Sequence, residues 1–215
     1  MKLIGIDLDG TIEDSRADMV AVARRVRAHF GLPAREDAQL RPFVNAGMDQ
    51  LYRACFDDYL AADPAHYETV RHAYESDYLE NVAVTTRMYD GMAEALPALA
   101  ALGALACITN KPEAISRRLL DALGVAAHFS AVIGGDSGPH IKPHPSMLEA
   151  AAIRCSFDRE SGRAFMIGDS SGDVLLGRAF GARTVFCRWG YAERSAEAPD
   201  HVALHPRDLA AIIAD

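Results

Sequence analysis

From residue 85 to the end of the chain, short apolar runs alternate with stretches of helical periodicity. This alternation is typical of βαβ units, and it predicts a parallel sheet covered by helices on both faces. A further apolar run at residues 3–6 adds a first strand. We therefore expect a doubly wound α/β sheet with strands at 3–6, 104–108, 131–133, 164–167, 184–187 and 202–204, and with helices at 92–102, 113–123, 147–153, 174–180 and 209–213.

Residues 15–82 break this alternation, because they contain helical patterns and no convincing strand. Ser15 and Asp18 are placed to cap a first helix. Further helical patterns cover residues 50–60 and 67–79. The sequence therefore predicts two domains: an α/β core made of residues 1–14 and 83–215, and an all-helical domain of residues 15–82 inserted into it.

Composition excludes several classes of partner. The 215 residues carry a net charge of −8, with acidic and basic residues interspersed. Binding to a nucleic-acid backbone requires a basic face, so we expect no nucleic-acid partner. No apolar stretch approaches the length of a signal peptide core or a membrane span, which favours a cytoplasmic protein without a membrane partner. The four cysteines lack a metal-type spacing and are interpreted as reduced structural thiols.

The stretch Asp7-Leu8-Asp9-Gly10-Thr11 follows the first predicted strand. Ligands of α/β sheets bind at the carboxyl ends of the strands, so two carboxylates at this place form a candidate acidic site. Neighbouring side chains of a strand point to opposite faces, and the two acids can meet one substrate only if the chain turns at once. Gly10 permits such a turn and lets backbone amides approach an anion closely.

Three more polar clusters occur in the same sequence order as the strands. Thr109-Asn110-Lys111 follows one apolar run, and Gly168-Asp169-Ser170-Ser171-Gly172-Asp173 follows another. Between them, Lys142-Pro143 precedes a helical pattern. The ordered set resembles the haloacid dehalogenase superfamily of phosphatases over residues 1–14 and about 85–190. The helical insertion is similar to the small cap of its first subclass, and the whole chain is similar to phosphoglycolate phosphatases.

The resemblance implies a Rossmann-like core and an aspartyl-phosphate mechanism that depends on Mg²⁺. In the family pattern the metal binds the Asp7 side chain, the Asp9 backbone carbonyl and Asp169, and hard oxygen ligands suit this ion. Asp7 would be the nucleophile and the Asp9 side chain the general acid–base. Asp173 would orient Lys142 or a water molecule on the metal.

The phosphoryl group needs its own ligands. The resemblance implies that Thr109 and Asn110 contact the phosphoryl oxygens, that Lys142 pairs with Asp7 and the phosphate, and that the turn at Gly10 contributes amides. Lys111 is expected to face solvent or the helical domain.

Substrate selection is expected to lie in the helical domain. The family's specificity loop corresponds to residues 44–48, where Asn45 replaces a usual glycine and Gly47 is retained. Arg41 and Arg53 flank this loop and are candidates for binding a substrate carboxylate. Glu13 departs from the usual apolar residue, and it would add charge at the mouth of the site or point to solvent.

These observations predict a Mg²⁺-dependent phosphatase that acts on a small-molecule phosphate ester, with 2-phosphoglycolate as the candidate substrate. Two alternatives stay open: a sugar-phosphate mutase similar to β-phosphoglucomutase, and a non-catalytic regulatory protein on the same scaffold. The chain would act as a monomer or a homodimer.

Overall fold

The computed structural model describes residues 1–44 and 47–215. Within these ranges the chain divides into two compact units. The sheet unit contains Met1–Asp14 and Arg87–Asp215, and the helical unit contains Ser15–Thr86. None of the helices in the described ranges combines the length and the apolar character needed to cross a membrane.

Among the residues that the structure describes, the strands belong to the sheet unit. They are β1 (Lys2–Ile6), β2 (Glu13–Asp14), β3 (Arg87–Met88), β4 (Ala104–Ile108), β5 (Ala131–Ile133), β6 (Arg163–Gly168), β7 (Arg183–Cys187) and β8 (His201–Ala203). Six of them form one parallel sheet in the order β5-β4-β1-β6-β7-β8. The other two, β2 and β3, pair as a short antiparallel ribbon.

The helices are divided between the two units. The helical unit contains α1 (Arg16–His29), α2 (Asp37–Leu40), α3 (Met48–Cys55), α4 (Asp57–Ala62) and α5 (Tyr67–Glu80). The sheet unit contains α6 (Met92–Leu102), α7 (Glu113–Ala122), α8 (Ser146–Arg154), α9 (Ser171–Phe180) and α10 (Leu209–Ala214).

The central strands are apolar because they are covered on both faces. Leu3, Ile4 and Ile6 of β1 are fully buried, as are Phe165 and Ile167 of β6. A parallel sheet covered in this way reads as nearly continuous hydrophobic runs, and helices α8 and α9 pack against these strands. The predicted α/β fold with a parallel sheet is therefore confirmed.

The helical unit begins at Ser15 and extends to Thr86, four residues past the boundary expected from the sequence. Asp18 explains the difference. Its carboxylate accepts hydrogen bonds from the backbone amides and hydroxyls of Thr85 and Thr86, at distances from 2.6 to 3.1 Å. Because Asp18 is used in this way, the predicted Ser15–Asp18 cap is wrong, and the Ser15 side chain makes no capping hydrogen bond to α1.

Aromatic side chains fill the core of the helical unit. The Tyr52 and Tyr74 rings meet edge to face at 5.4 Å, and the hydroxyl of Tyr74 donates to the Met19 carbonyl at 2.9 Å. The helix predicted at 50–60 is in fact two helices, α3 and α4, because Phe56 between them leaves helical geometry at φ −129° and ψ 26°. The side chain of Phe56 is fully buried at this break.

Candidate active site

Three of the predicted residues directly follow neighbouring strands. Asp7 follows β1, Thr109 follows β4 and Asp169 follows β6. Strand β1 lies between β4 and β6, and parallel strands end at the same edge of a sheet. The amide of Asp7 donates to the Ile167 carbonyl at 2.9 Å, which continues the pairing of β1 with β6 past the last strand residue. This edge therefore carries the candidate site.

Lys142 contacts the site from the segment between β5 and α8. Its Nζ lies 2.6 Å from Asp7 Oδ1 and 2.9 Å from Asp173 Oδ1. The backbone amide of Lys142 donates to Asn110 Oδ1 at 2.9 Å. Asn110, predicted to contact phosphate, thus also anchors the segment that carries the lysine.

Three carboxylates are concentrated beside this lysine. Asp7, Asp169 and Asp173 are at most 5% exposed, and each offers an oxygen within 4.8 Å of the others. Asp173 receives hydrogen bonds from Lys142 and from the amide of Ser170 at 3.0 Å. Asp173 was expected to orient Lys142 or a water molecule on the metal, and its carboxylate both contacts Lys142 and lies within 4.8 Å of the two expected ligands.

Burial and neighbouring charges shift the pKa values of Asp7, Asp169 and Lys142. Burial raises the pKa of Asp7 well above its usual value, and the negative charges of Asp173 and Asp169 add to this although Lys142 opposes it. Burial and the charge of Asp173 raise the pKa of Asp169 to about 6. Burial would lower the pKa of Lys142, but Asp173 and Asp7 together raise it. Lys142 therefore stays charged among the acids.

The cluster fits a divalent cation. Mg²⁺ prefers hard oxygen ligands and few of them from protein, and two or three buried carboxylates meet that need. One lysine does not neutralise three acids, and a bound cation would offset the charge repulsion that, after burial, contributes to the raised pKa values of Asp7 and Asp169. Asp7 and Asp169, both predicted as metal ligands, belong to this set, together with Asp173.

The turn after β1 is shaped by Gly10. Its φ is +81°, in the left-handed region, and a Cβ there would lie 2.3 Å from Asp169 Oδ2. Its amide donates to the Glu13 carbonyl at 2.9 Å, and the Thr11 hydroxyl approaches Asp169 Oδ1 at 3.4 Å. A glycine is required here because it allows Asp169 to pack directly on the turn.

The segment Trp189-Gly190-Tyr191 was missed by the sequence reasoning. The amide of Tyr191 donates to Asp169 Oδ2 at 2.6 Å, and the indole nitrogen of Trp189 donates to the Thr11 carbonyl at 2.9 Å. A Cβ on Gly190 would lie 2.1 Å from the Asp169 Cβ. The sequence could have indicated this segment by its position, because it comes shortly after β7 and therefore lies at the same edge of the sheet as the site.

Neither Lys111 nor Glu13, at the edge of the site, points to solvent, so that alternative is wrong for both residues. Lys111 does not face solvent: its side chain is 1% exposed and its Nζ forms an ion pair with Asp9. Glu13 is fully buried, 4.0 Å from the same Nζ. Lys111 lies in the segment after β4, and Glu13 is the first residue of β2. These two segments bring Lys111 and Glu13 close to Asp9, in the turn after β1.

Comparison with known proteins places the chain among hydrolases. The family of haloacid dehalogenase-like hydrolases matches residues 4–187, most of the chain. The chain belongs to the haloacid dehalogenase-like hydrolase family. A phosphoglycolate phosphatase from Nitrosococcus oceani is 33% identical over 193 residues, which cover 88% of this chain and 85% of that protein.

Two further proteins similar to this family member span almost its whole length. An N-acetylmuramic acid 6-phosphate phosphatase from Pseudomonas aeruginosa is 31% identical over 215 residues, covering 97% of this chain and 93% of that protein. The solved structure of a predicted phosphoglycolate phosphatase from Haemophilus somnus has a TM-score of 0.81 and 27% sequence identity. The match covers 99% of this chain and 97% of that chain. The prediction of a hydrolase of this superfamily, similar to phosphoglycolate phosphatases, is confirmed.

The substrate-selecting residues predicted for this haloacid dehalogenase-like hydrolase lie in its helical unit. Arg41 is exposed, and Arg53 is exposed and paired with Asp49 at 2.9 Å. Gly47 precedes α3 with φ +91°. Asn45 lies outside the described residues.

Proposed function

We propose that the protein hydrolyses a small-molecule phosphate monoester through a phosphorylated Asp7, with Mg²⁺ as cofactor. The observation that supports this most is the placement of Asp7. Its carboxylate is buried at the carboxyl edge of the sheet, paired with Lys142 at 2.6 Å and close to two further acids that fit a cation. Family membership and the phosphatases among its relatives support the same reaction.

In this mechanism Asp7 attacks phosphorus while the bond to the ester oxygen breaks. The ammonium of Lys142 and the polar groups of Thr109 and Asn110 bind the phosphoryl oxygens and disperse their charge. Asp9 gives its proton to the departing oxygen and afterwards removes a proton from the water that attacks the phosphorylated Asp7. Inorganic phosphate and the free alcohol are the products.

Asp7, Asp169 and Asp173, with the Asp9 carbonyl implied by the family pattern, would hold the cation. When bound, Mg²⁺ offsets the repulsion between the substrate phosphate and the carboxylates. The amide of Tyr191 donates to Oδ2 of Asp169 at 2.6 Å, and the Thr11 hydroxyl approaches Oδ1 at 3.4 Å. This arrangement orients the ligand before the cation arrives.

For the substrate we propose a phosphate monoester that also carries a carboxylate. The relatives named above are a phosphoglycolate phosphatase and an N-acetylmuramic acid 6-phosphate phosphatase, and both named compounds contain a phosphate ester and a carboxylate. Arg41 and Arg53 remain the candidates for the carboxylate contact. A cytoplasmic location and a monomeric or homodimeric state stay predictions.

The test is phosphate release from 2-phosphoglycolate, N-acetylmuramic acid 6-phosphate, p-nitrophenyl phosphate and a panel of sugar phosphates, with Mg²⁺ and with chelator. We expect metal-dependent release that is abolished in Asp7→Asn and retained in the surface control Arg178→Met. Preference for the two carboxylate-bearing esters supports the substrate class, and preference for esters without a carboxylate refutes it. Isomerisation of a sugar phosphate without net release would support the mutase, and no turnover at all would favour a regulatory role.

A further inference from the structure

Three ionisable side chains, two of them buried, form a group that includes Asp9. The Nζ of Lys111 makes an ion pair with Asp9 Oδ1 and lies 4.0 Å from Glu13 Oε1. The side chains of Lys111 and Glu13 are 1% and 0% exposed, whereas that of Asp9 is 20% exposed. Asp9 is therefore the member of the group that retains access to the site.

The backbone fixes each member of this group. The amide of Lys111 donates to Thr109 Oγ1 at 3.1 Å, and its carbonyl accepts from the amide of Gly135 at 2.9 Å. Glu13 pairs with Met88 in the β2–β3 ribbon. The Glu13 carbonyl also accepts from the Gly10 amide at 2.9 Å, one residue from Asp9. The lysine and both acids are thus held on short, hydrogen-bonded segments.

The arrangement of these groups indicates what the lysine does. Two carboxyl groups lie within 4.0 Å of its Nζ. A lysine that already contacts two acids, one of them fully buried, is a poor receptor for a substrate anion. The same lysine is well placed to hold one oxygen of Asp9, because a charged hydrogen bond in a buried setting fixes the geometry of its acceptor.

We propose that Lys111, itself anchored by Glu13, is a positioning residue for Asp9. This inference rests on the proposed function, in which Asp9 exchanges a proton with the ester oxygen and then with water. Lys111 binds Oδ1 of Asp9 and so fixes the orientation of the carboxyl group that carries the proton. As the bond from phosphorus to the ester oxygen breaks and the bond from Asp7 to phosphorus forms, the proton moves from the Asp9 carboxyl group to the ester oxygen. The alcohol then leaves.

The experiment uses the dependence of the rate on the leaving group. An alkoxide leaving group needs a proton, whereas p-nitrophenolate leaves without one. We would measure kcat and KM of the wild type, Lys111→Met, Asp9→Asn and the double variant with p-nitrophenyl phosphate and with the best alkyl phosphate of the panel. Methionine retains the apolar stem of the lysine and removes only its ammonium.

We expect Lys111→Met to lower the ratio of kcat/KM for the alkyl ester to that for the aryl ester by about tenfold or more. The loss should be in kcat, with KM little changed. Asp9→Asn should lower the same ratio, and adding Lys111→Met to it should lower the ratio no further. Glu13→Gln, which preserves shape, should shift the ratio in the same direction by a smaller factor.

A structural role alone predicts a different result. If Lys111→Met reduces hydrolysis of both esters equally, or if its effect on the ratio is undiminished in Asp9→Asn, the inference is overturned. Arg154→Met, which removes a cation from Glu113 on the same unit, is the matched control and should leave the ratio unchanged. If Lys111→Met does not fold, Glu13→Gln decides the question by the same ratio. If the wild type hydrolyses neither ester, the proposed function fails as well.

Discussion

The substitution Asp169→Asn should stabilise the metal-free protein while abolishing its activity. Asp169 is 3% exposed and its pKa is raised to about 6, first by burial and then by the charge of Asp173. An aspartate in the unfolded chain has a pKa of about 3.9, so the difference is about two units. At about 1.4 kcal/mol per unit, the ionised Asp169 disfavours the folded state by on the order of 3 kcal/mol at pH 7.5.

The sign follows from proton binding. Between pH 4 and pH 6 the folded protein binds the Asp169 proton more tightly than the unfolded chain does. Asp169 therefore does not disfavour folding below about pH 4, and its contribution to stability becomes unfavourable as the pH rises through about 6. Asparagine carries no charge and still accepts the hydrogen bond from the Tyr191 amide. Because a neutral acceptor makes a weaker bond, we expect a net gain of about 2 kcal/mol in the free energy of unfolding at pH 7.5.

The assay is urea unfolding in EDTA, followed by the fluorescence of Trp189, the single tryptophan of the chain, which lies in the sheet unit. The variant should be more stable than the wild type at pH 7.5, and its stability should decline less than that of the wild type between pH 4 and pH 6, the remaining decline coming from Asp7, whose pKa is also raised. Adding Mg²⁺ should stabilise the wild type, because a ligand that binds the folded state raises its stability by mass action. The difference in free energy of unfolding between Asp169→Asn and the wild type should therefore become smaller.

Asp200→Asn serves as a control of opposite sign. Hydrogen bonds from the amide and hydroxyl of Thr184 lower the pKa of Asp200, so its ionised form favours folding above the unfolded pKa. This variant should lose stability rather than gain it. If Asp169→Asn is no more stable than the wild type in EDTA, or keeps the same pH dependence, the account of a strained acidic cluster is refuted.

Three further predictions concern single residues. Gly10→Ala should lose activity and lower the free energy of unfolding by at least about 1–2 kcal/mol, since φ is +81° and the new Cβ would lie 2.3 Å from Asp169 Oδ2. Phosphate release measures the first effect and urea unfolding the second. Lys142→Met should reduce kcat by at least about a hundredfold, because it removes the cation beside Asp7; an unchanged kcat would contradict the role given to it. Asp18→Asn should lower the free energy of unfolding by about 1–3 kcal/mol at pH 7, as measured by circular dichroism during urea unfolding. Burial alone would raise the pKa of Asp18, but hydrogen bonds from Thr85 and Thr86 lower it. The difference in stability between the wild type and Asp18→Asn should therefore shrink as the pH falls below about 4. A difference that is independent of pH would contradict this role of Asp18.

The regular elements were predictable because they follow from hydrophobic periodicity. The strands at Ala104–Ile108 and Ala131–Ile133 and the helix Met92–Leu102 have the bounds expected from the sequence. The convergence of Asp7, Thr109 and Asp169 was predictable for the same reason, since each follows an apolar run and parallel strands end at one edge. Local pattern and topology agree at these positions.

Other features depend on contacts between distant residues, which local pattern does not contain. The break at Phe56 divides an apparently continuous helical pattern. Asp18 was placed in a cap because of its spacing from Ser15, but its partners Thr85 and Thr86 lie 67 and 68 residues away. A lysine in a polar turn is usually solvated, so the burial of Lys111 became visible only once β2 and β4 were placed beside the turn after β1.

The central claim is that Asp7 accepts the phosphoryl group, and trapping the covalent intermediate tests it most directly. The enzyme would be mixed with p-nitrophenyl phosphate and Mg²⁺, quenched rapidly in acid and digested, and the peptides analysed by mass spectrometry. We predict one added phosphoryl group on Asp7, in higher yield in Asp9→Asn because the attacking water is no longer activated, and none in Asp7→Asn. A phosphoryl group on another residue, or rapid hydrolysis with no trapped adduct in either active form, would contradict the account.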